Sequence, residues 1–212
     1  METHQDVRIL ELEAALARKD ALLREVDHRV KNNLQLISSL MLLQSRRMED
    51  EAARQALKTM LERVSAVATV HRRLFQGDDS QKFEVADFIR DMAGDLALAA
   101  GRDDVRITLD LTPLIIPASM AAPFALVLNE LVTNALKHAF PGQGGVIAIS
   151  LAKTDDASIL TVADDGCGMG EAQHAFGLMI VGLLCRQLRS RLEIVPGPPG
   201  VRATVRTPLS PA

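Results

Sequence analysis

Apolar residues at the start of the chain recur at alternating steps of three and four. This repeat runs without Gly or Pro over residues 6–47, which predicts one long helix with a coiled-coil a/d seam. After a short connection at 48–50, a second repeat of the same kind predicts a helix over 51–75. The two helices form a hairpin, and because each buries only one face, we expect two copies to pair as a four-helix bundle. The seam residues of the first helix are Ile9, Leu12, Leu16, Lys19, Leu23, Val26, Val30, Asn33, Ile37, Leu40 and Gln44.

The hydropathy pattern changes to mixed α/β after a polar break at residues 77–81. Short runs that alternate between apolar and polar residues predict strands, and longer periodic runs predict helices. The predicted helices cover 85–100, 119–139 (capped by Ser119) and 176–188, and the predicted strands cover 105–111, 146–152, 158–163, 191–195 and 201–207. Strands covered by helices on one face form a two-layer α/β sandwich. We therefore expect a helical hairpin over 1–76, a linker over 77–81 and an α/β domain over 82–212.

Composition narrows the classes of protein that fit this chain. The net charge is −3, so the chain lacks the basic surface that is typical of nucleic-acid binding. The cysteines, Cys167 and Cys185, fit neither a metal-ligand spacing nor a disulfide framework, which is typical of a reducing compartment. The start of the chain does not resemble a signal peptide, and no apolar run reaches the roughly 18 residues that span a bilayer. We expect a cytoplasmic protein that binds neither nucleic acid nor membranes.

His28 lies at an f position of the first predicted helix and therefore points away from the seam. Lys31, Asn32 and Gln35 share its face. A histidine held outward on a rigid helix beside polar groups suits a nucleophile that a second domain must reach. Taken alone, the same pattern also describes the solvated face of any bundle helix. The rest of the sequence decides between these interpretations.

Four polar residues interrupt the predicted helix over 119–139, which is otherwise apolar. Glu130, Asn134, Lys137 and His138 are spaced i, i+4, i+7 and i+8, which places them on one face. A polar stripe on a core helix costs desolvation free energy unless its groups are hydrogen-bonded or line a ligand cavity. The alternative is a charged face that is turned towards water.

A glycine-rich segment follows one of the predicted strands. It begins at Asp164, whose carboxylate can accept a hydrogen bond from an exocyclic amine, and it contains Gly166 and Gly168. Glycines at a strand end let the backbone approach a ligand and adopt positive φ. Gly177 and Leu178 then begin a helix, whose unpaired N–H groups favour an anion such as phosphate. An Asp-x-Gly-x-Gly run by itself is also an ordinary turn, but its place after the polar helix makes the combination specific.

Together these residues resemble the catalytic core of bacterial sensor histidine kinases, in the subfamily whose phospho-acceptor motif reads His-Arg-Val-Lys-Asn-Asn and that is related to the HWE kinases. Residues 28–35 match the H-box, and residues 129–140 match the N-box of the GHKL ATP-binding fold. Residues 164–168, 177–181 and 200 onward match the glycine boxes. The resemblance covers nearly the whole chain, and it implies a hairpin for dimerisation and histidine phosphotransfer, followed by a two-layer α/β sandwich of the GHKL ATPase type.

The resemblance also implies roles for the first site. His28 is the phospho-acceptor that ATP phosphorylates. Many histidine kinases carry an acid directly after this histidine, where it can accept the proton, but this chain has Arg29 there. Asp27, or Glu25 one turn back, could take that part, and the sequence leaves both open.

In the ATP site, the resemblance implies that Asn134 coordinates the Mg²⁺ that bridges the phosphates. Glu130 beside it would orient the metal shell or a water molecule, and Lys137 and His138 would face the phosphates. Asp164 would bind the adenine amine, and the glycines that follow it would shape the pocket. Such a site positions the phosphates and neutralises their charge, which phosphoryl transfer needs more than covalent chemistry.

The function that the resemblance implies is that of an ATP-dependent protein-histidine kinase in two-component signal transduction. It would phosphorylate His28 and pass the phosphoryl group to an Asp of a response regulator receiver domain. The a/d seam predicts a homodimer. No sensor domain is present in this sequence, so we expect the signal to come from an upstream sensor partner or from an input domain outside it, or the kinase to be constitutively active.

Two other functions fit parts of the pattern. The segment over 168–177 is short, the second glycine box has the single Gly177, and Val201 stands in the last box where a Thr is common. These departures favour a histidine phosphotransferase or scaffold of the same fold whose ATP site has decayed. A GHKL kinase of the anti-sigma type, acting on Ser, would explain the ATP site alone, but such proteins have no segment like the hairpin that bears the histidine.

Overall fold

The computed structural model describes residues 2–76, 81–168, 175–197 and 199–209. The chain forms two compact units, which meet in the sequence at Ala68 and Thr69. This point lies within the second helix, so the last turns of that helix group with the second unit. The predicted linker over 77–81 lies outside the described residues, except for Gln81.

Two long helices make up the N-terminal part of the chain. α1 spans Glu2–Arg47 and α2 spans Glu51–Gln76, close to the predicted bounds. Asp50 is the N-cap of α2, because its Oδ1 accepts hydrogen bonds from the N–H of Ala52 at 2.8 Å and of Ala53 at 3.4 Å. Such a cap satisfies N–H groups that have no partner within the helix.

The predicted seam of α1 is exposed in the single chain. Val26, Ile37 and Leu40 keep 53%, 45% and 53% of their surface exposed. Val30 is the seam residue that also belongs to a neighbouring, more shielded stripe. That stripe consists of Asp27, Val30, Leu34, Ser38, Met41 and Ser45. A long apolar face of α1 therefore stays uncovered by the chain itself.

The second unit contains seven strands and three helices in the described residues, besides the last turns of α2. The strands are β1 Lys82–Glu84, β2 Val105–Leu111, β3 Ile115–Pro117, β4 Gly145–Lys153, β5 Ala157–Asp164, β6 Arg191–Pro196 and β7 Val201–Pro208. The helices are α3 Val85–Ala100, α4 Ala118–His138 and α5 Ala175–Gln187. A five-stranded sheet has the order β2–β4–β5–β7–β6, with β2 and β4 parallel and the other neighbours antiparallel. This arrangement, with helices on the sheet, confirms the predicted two-layer α/β sandwich.

The start of α4 differs from the prediction. The prediction that Ser119 caps this helix is wrong, because α4 begins at Ala118 and Pro117 stands at the cap position without a side-chain hydrogen bond. The short strand β3 leads directly into the helix, and the N–H of Ala118 donates to the carbonyl of Gln81 at 2.9 Å. β1 and β3 form a small antiparallel pair that the sequence pattern missed, because three residues are too few to show an alternation.

α4 is the central helix of the core and contacts α3, α5 and the sheet. Val127, Leu128 and Val132 are at most 1% exposed. Among the described residues, α4 is also the one helix that is long and apolar enough to cross a membrane, with 72% of its apolar window buried in the protein. This burial is typical of the core helix of a domain.

Candidate functional site

The polar stripe of α4 lies in its C-terminal half. Glu130 is buried, with 4% of its surface exposed, Asn134 and His138 are half-buried, and Lys137 is exposed. Asn134 and His138 line an open cleft beside the helix. Apart from Lys137, the stripe is therefore not a face turned towards water.

The cleft lies between α4, the end of β5, the start of α5, and strands β6 and β7. Apolar side chains form most of its lining, and a few polar groups stand among them. The lining residues are Leu131, Asn134, Ala135, His138, Ala139, Val162, Asp164, Gly168, Leu178, Ile194, Val201 and Ala203. An apolar cleft with a few convergent polar groups is typical of a site for a small molecule.

The backbone around Asp164 orients its carboxyl group. Oδ1 accepts hydrogen bonds from the N–H of Gly166 at 3.0 Å and of Val201 at 3.3 Å. Gly200 has a φ of +87°, and a Cβ there would stand 1.8 Å from the carbonyl oxygen of Asp164, so no larger residue fits. These contacts hold the Asp164 carboxyl group at one end of the cleft.

The glycines after Asp164 bring this segment against the end of α4. A Cβ at Gly166 would stand 2.2 Å from the carbonyl oxygen of Ala139, and the same oxygen accepts a hydrogen bond from the N–H of Cys167 at 2.8 Å. Gly168 has a φ of +85° and lines the cleft. The segment therefore forms one wall of the cleft, with its backbone directly on the helix end.

Gly177 brings the start of α5 onto the polar stripe of α4. A Cβ at this residue would stand 3.3 Å from Nδ2 and 3.4 Å from Oδ1 of Asn134, and 3.4 Å from Oε2 of Glu130. Leu178, which follows it, lines the cleft. The first N–H groups of a helix attract anions, so an anionic group in this cleft would meet them beside Asn134 and Glu130.

His28 is exposed on α1, in agreement with its f position. In the turn around it, Oε1 of Glu25 accepts a hydrogen bond from Nε of Arg29 at 2.7 Å, and both side chains are more than half exposed. Asp27 is half-buried. Both candidate proton acceptors therefore lie within one turn of His28.

Two protein families match this chain over separate ranges. Residues 25–100 match the family described as histidine kinase, and this range includes His28 and both acids beside it. Residues 121–211 match the family described as histidine kinase-, DNA gyrase B- and HSP90-like ATPase, and this range includes the whole cleft. This chain belongs to the histidine kinases. It is a kinase catalytic core with a GHKL-type ATPase domain.

Individual relatives agree with this assignment. The sensor histidine kinase PdtaS of Mycolicibacterium smegmatis is 35% identical over 179 residues, which cover 80% of this chain and 36% of that protein. Blue-light-activated histidine kinase 2 of Erythrobacter litoralis is 27% identical over 205 residues, which cover 90% of this chain and 58% of that protein. The kinase therefore spans between about a third and three fifths of the length of these relatives.

Solved structures support the same fold. The histidine kinase domain of the Erythrobacter litoralis EL346 blue-light-activated histidine kinase superposes with a TM-score of 0.66 at 25% identity. The match covers 88% of this chain and 90% of that domain. The hairpin followed by an α/β sandwich is therefore the architecture of a known histidine kinase domain.

The structure brings most of the predicted ATP-site residues of this kinase to one cleft, with Lys137 exposed on the same helix. Sequence reasoning missed the apolar wall, which includes Leu131, Val162, Ile194 and Ala203. Apolar periodicity along a strand or a helix identifies such residues only as core, because it does not show which core positions stay open to a ligand.

Proposed function

We propose that this kinase phosphorylates His28 from ATP and passes the phosphoryl group to an Asp of a response regulator receiver domain. The observation that carries the proposal is the geometry of the cleft in the ATPase domain. At one end the backbone orients the carboxyl group of Asp164, and at the other Gly177 brings the start of α5 to within contact of Asn134 and Glu130. One cleft thus offers an acceptor for an amine and a place for phosphates.

ATP fits this cleft by the chemistry of its two ends. The adenine ring would lie on the apolar wall and donate its amine hydrogen to Asp164. The phosphates would face Asn134, the start of α5 at Gly177 and Leu178, and the stripe residue His138. No cluster of three or more His, Cys, Asp or Glu side chains in the described residues could hold a metal ion by itself. Asn134 would hold Mg²⁺ at the phosphate end of the cleft, and the ion would neutralise the charge of the phosphates.

In the proposed reaction, the neutral imidazole of His28 attacks the γ-phosphorus of ATP. A nitrogen–phosphorus bond forms, the bond between the γ-phosphorus and its bridging oxygen breaks, and ADP leaves. The imidazole proton passes to Glu25 or Asp27. The variants Glu25→Gln and Asp27→Asn separate these two, because only the loss of the true acceptor slows phosphorylation.

Partners follow from the same proposal. The exposed seam of α1 supports a homodimer through the hairpin, and the phosphohistidine would donate to a receiver domain. A location in the cytoplasm and an upstream sensor partner stay predictions.

Labelling with γ-³²P-ATP and Mg²⁺ tests the proposal. We expect the natural protein to gain a label that acid removes and base leaves, as for phosphohistidine, and we expect none on His28→Gln or Asn134→Ala. His71→Gln removes a histidine outside both sites and should label normally.

Other outcomes would replace the proposal. Label that persists in His28→Gln would refute His28 as the acceptor, and label that is stable in acid would favour a serine kinase. If folded protein neither labels nor binds ADP but accepts phosphate from another phosphoprotein, the phosphotransferase function is the correct one.

A further inference from the structure

Arg102 lies on the loop between α3 and β2, outside the lining of the cleft, and holds the chain that leaves α4. Its Nε and Nη2 donate to the two carboxylate oxygens of Asp104, each at 2.8 Å. The same Nη2 donates to the carbonyl of Phe140 at 3.1 Å and to that of Gln143 at 2.9 Å. One guanidinium therefore joins its own loop to the loop after α4.

Backbone contacts extend this connection. The N–H of Gly145 donates to the carbonyl of Asp104 at 3.1 Å. A Cβ at Gly144 would stand 2.0 Å from that carbonyl oxygen, so the two loops touch where only glycine fits. The loop after α4 is thus held on one side by Arg102 and Asp104.

The other side of the same loop holds the glycine-rich wall of the cleft. The N–H of Val146 donates to Oδ1 of Asp165 at 2.7 Å, and Asp165 N–H returns a bond to the carbonyl of Val146 at 3.2 Å. Ala139, directly before the Phe140 carbonyl that Arg102 binds, accepts the N–H of Cys167 at 2.8 Å. Gly166, between these residues, donates to Asp164 at 3.0 Å. A continuous series of short contacts therefore runs from Arg102 to Asp164.

We propose that Arg102 is a positioning residue for the adenine end of the ATP cleft. It acts by fixing the loop after α4, which in turn orients the segment from Asp164 to Gly168. The inference rests on the proposed function, since it takes the ligand of the cleft to be an adenine nucleotide. A planar fork is needed to bind a carboxylate and two carbonyls at once, and a lysine ammonium cannot reproduce it.

Binding of ADP and Mg²⁺ by calorimetry tests this role. We expect Arg102→Ala to raise the Kd about tenfold, by the loss of one preorganised end of the site. Arg102→Lys should raise it nearly as much, and Asp104→Asn should raise it less, because the two carbonyl contacts remain. Arg106→Ala removes an exposed arginine nearby on β2 and should bind as the natural protein does.

Double variants distinguish positioning from a general loss of stability. The effect of Arg102→Ala should overlap with that of Asp164→Asn, so that the pair costs less than the product of the two fold-changes. By contrast, the fold-changes in Kd caused by Arg102→Ala and by Asn134→Ala, at the phosphate end, should simply multiply in the double variant. A Kd for Arg102→Ala equal to that of the natural protein, or equal coupling to both ends, would overturn the inference.

Amide hydrogen exchange provides a readout that needs no nucleotide. In the free protein, Arg102→Ala should speed exchange at the N–H of Cys167, which bonds to Ala139, whereas Arg106→Ala should leave it unchanged. Unchanged exchange in Arg102→Ala would contradict the inference. The natural protein could bind no ADP while Arg102→Ala still speeds exchange at Cys167. In that case the proposed function fails, but the role of Arg102 in positioning the segment from Asp164 to Gly168 is supported.

Discussion

At the scale of single residues, two glycines of α5 predict opposite outcomes for the same substitution. A Cβ at Gly177 would meet Asn134 and Glu130 at 3.3–3.4 Å, whereas a Cβ at Gly182 would meet nothing within 4 Å. We expect Gly177→Ala to weaken ADP binding several-fold, because the methyl group displaces the two polar side chains. Gly182→Ala should instead raise the free energy of unfolding by about 0.5–1 kcal/mol, since alanine loses less backbone entropy in a helix.

Calorimetry with ADP and thermal unfolding of both variants measure these effects. Natural affinity in Gly177→Ala would show that the start of α5 does not form the phosphate end of the site. Gly182→Ala serves as the control for placing any methyl group on α5.

Residues also show how far the sequence can predict the site. Glu130 and Asn134 were identifiable from the sequence, because burying polar groups on a core helix costs free energy unless they are hydrogen-bonded or line a ligand site. Both residues lie on the cleft side of α4. Arg102 was not identifiable, because its proposed role depends on contacts with Phe140 and Gln143, which are distant in sequence. Arg102 binds both residues only through their backbone carbonyl groups. Carbonyl groups are present at every residue, so no sequence signal marks the ones that a side chain will bind.

At the scale of elements, the start of α2 depends on one side chain. Asp50 accepts the N–H of Ala52 and of Ala53, so Asp50→Ala should lower the free energy of unfolding by about 1 kcal/mol. Asp50→Ser keeps an oxygen that can cap the helix and should recover most of this loss. Urea unfolding followed by circular dichroism measures both variants, and equal midpoints for the two would argue against the cap.

Element bounds were predictable wherever a periodic pattern was long. α3 and β2 have the predicted bounds, and α4 is displaced by one residue at each end. The predicted cap of α4 was wrong. Serine is a common cap residue, but here the preceding strand β3 leads straight into the helix before Ser119. Propensity describes what a residue favours by itself, and the tertiary path of the chain overrode it here.

At the scale of the whole molecule, the exposed seam of α1 predicts that the protein is a homodimer in solution. Ile37→Lys combined with Leu40→Lys places two charges on the seam and should convert a dimer to single chains in sedimentation equilibrium. Leu98→Lys changes a side chain that is 83% exposed on α3 and is not a seam residue, so it should leave the dimer intact. A natural protein that sediments as one chain would refute the homodimer.

Acid should weaken the ATPase domain through its surface aspartates. The hydrogen bond from Arg102 lowers the pKa of Asp104, and one from Arg90 lowers the pKa of Asp87. A lowered pKa in the folded state means that the stabilisation is present above the unfolded value, near 3.9, and is lost as pH falls through the folded value. We expect the melting temperature of the natural protein to decrease as the pH is lowered below about 4. The melting temperature of Asp104→Asn should decrease less steeply over the same pH range. The same slope in both proteins would exclude a contribution from Asp104.

The apolar character of α4 has a consequence for the order in which the protein is made. The helix leaves the ribosome before β4, β5, β6 and β7, which are all later in the chain and form most of the sheet that covers it. At about 5–20 residues per second, synthesis of these strands takes several seconds. During that interval we expect the nascent chain to expose this apolar helix and to bind chaperones, and we expect chains that end before β4 to be poorly soluble.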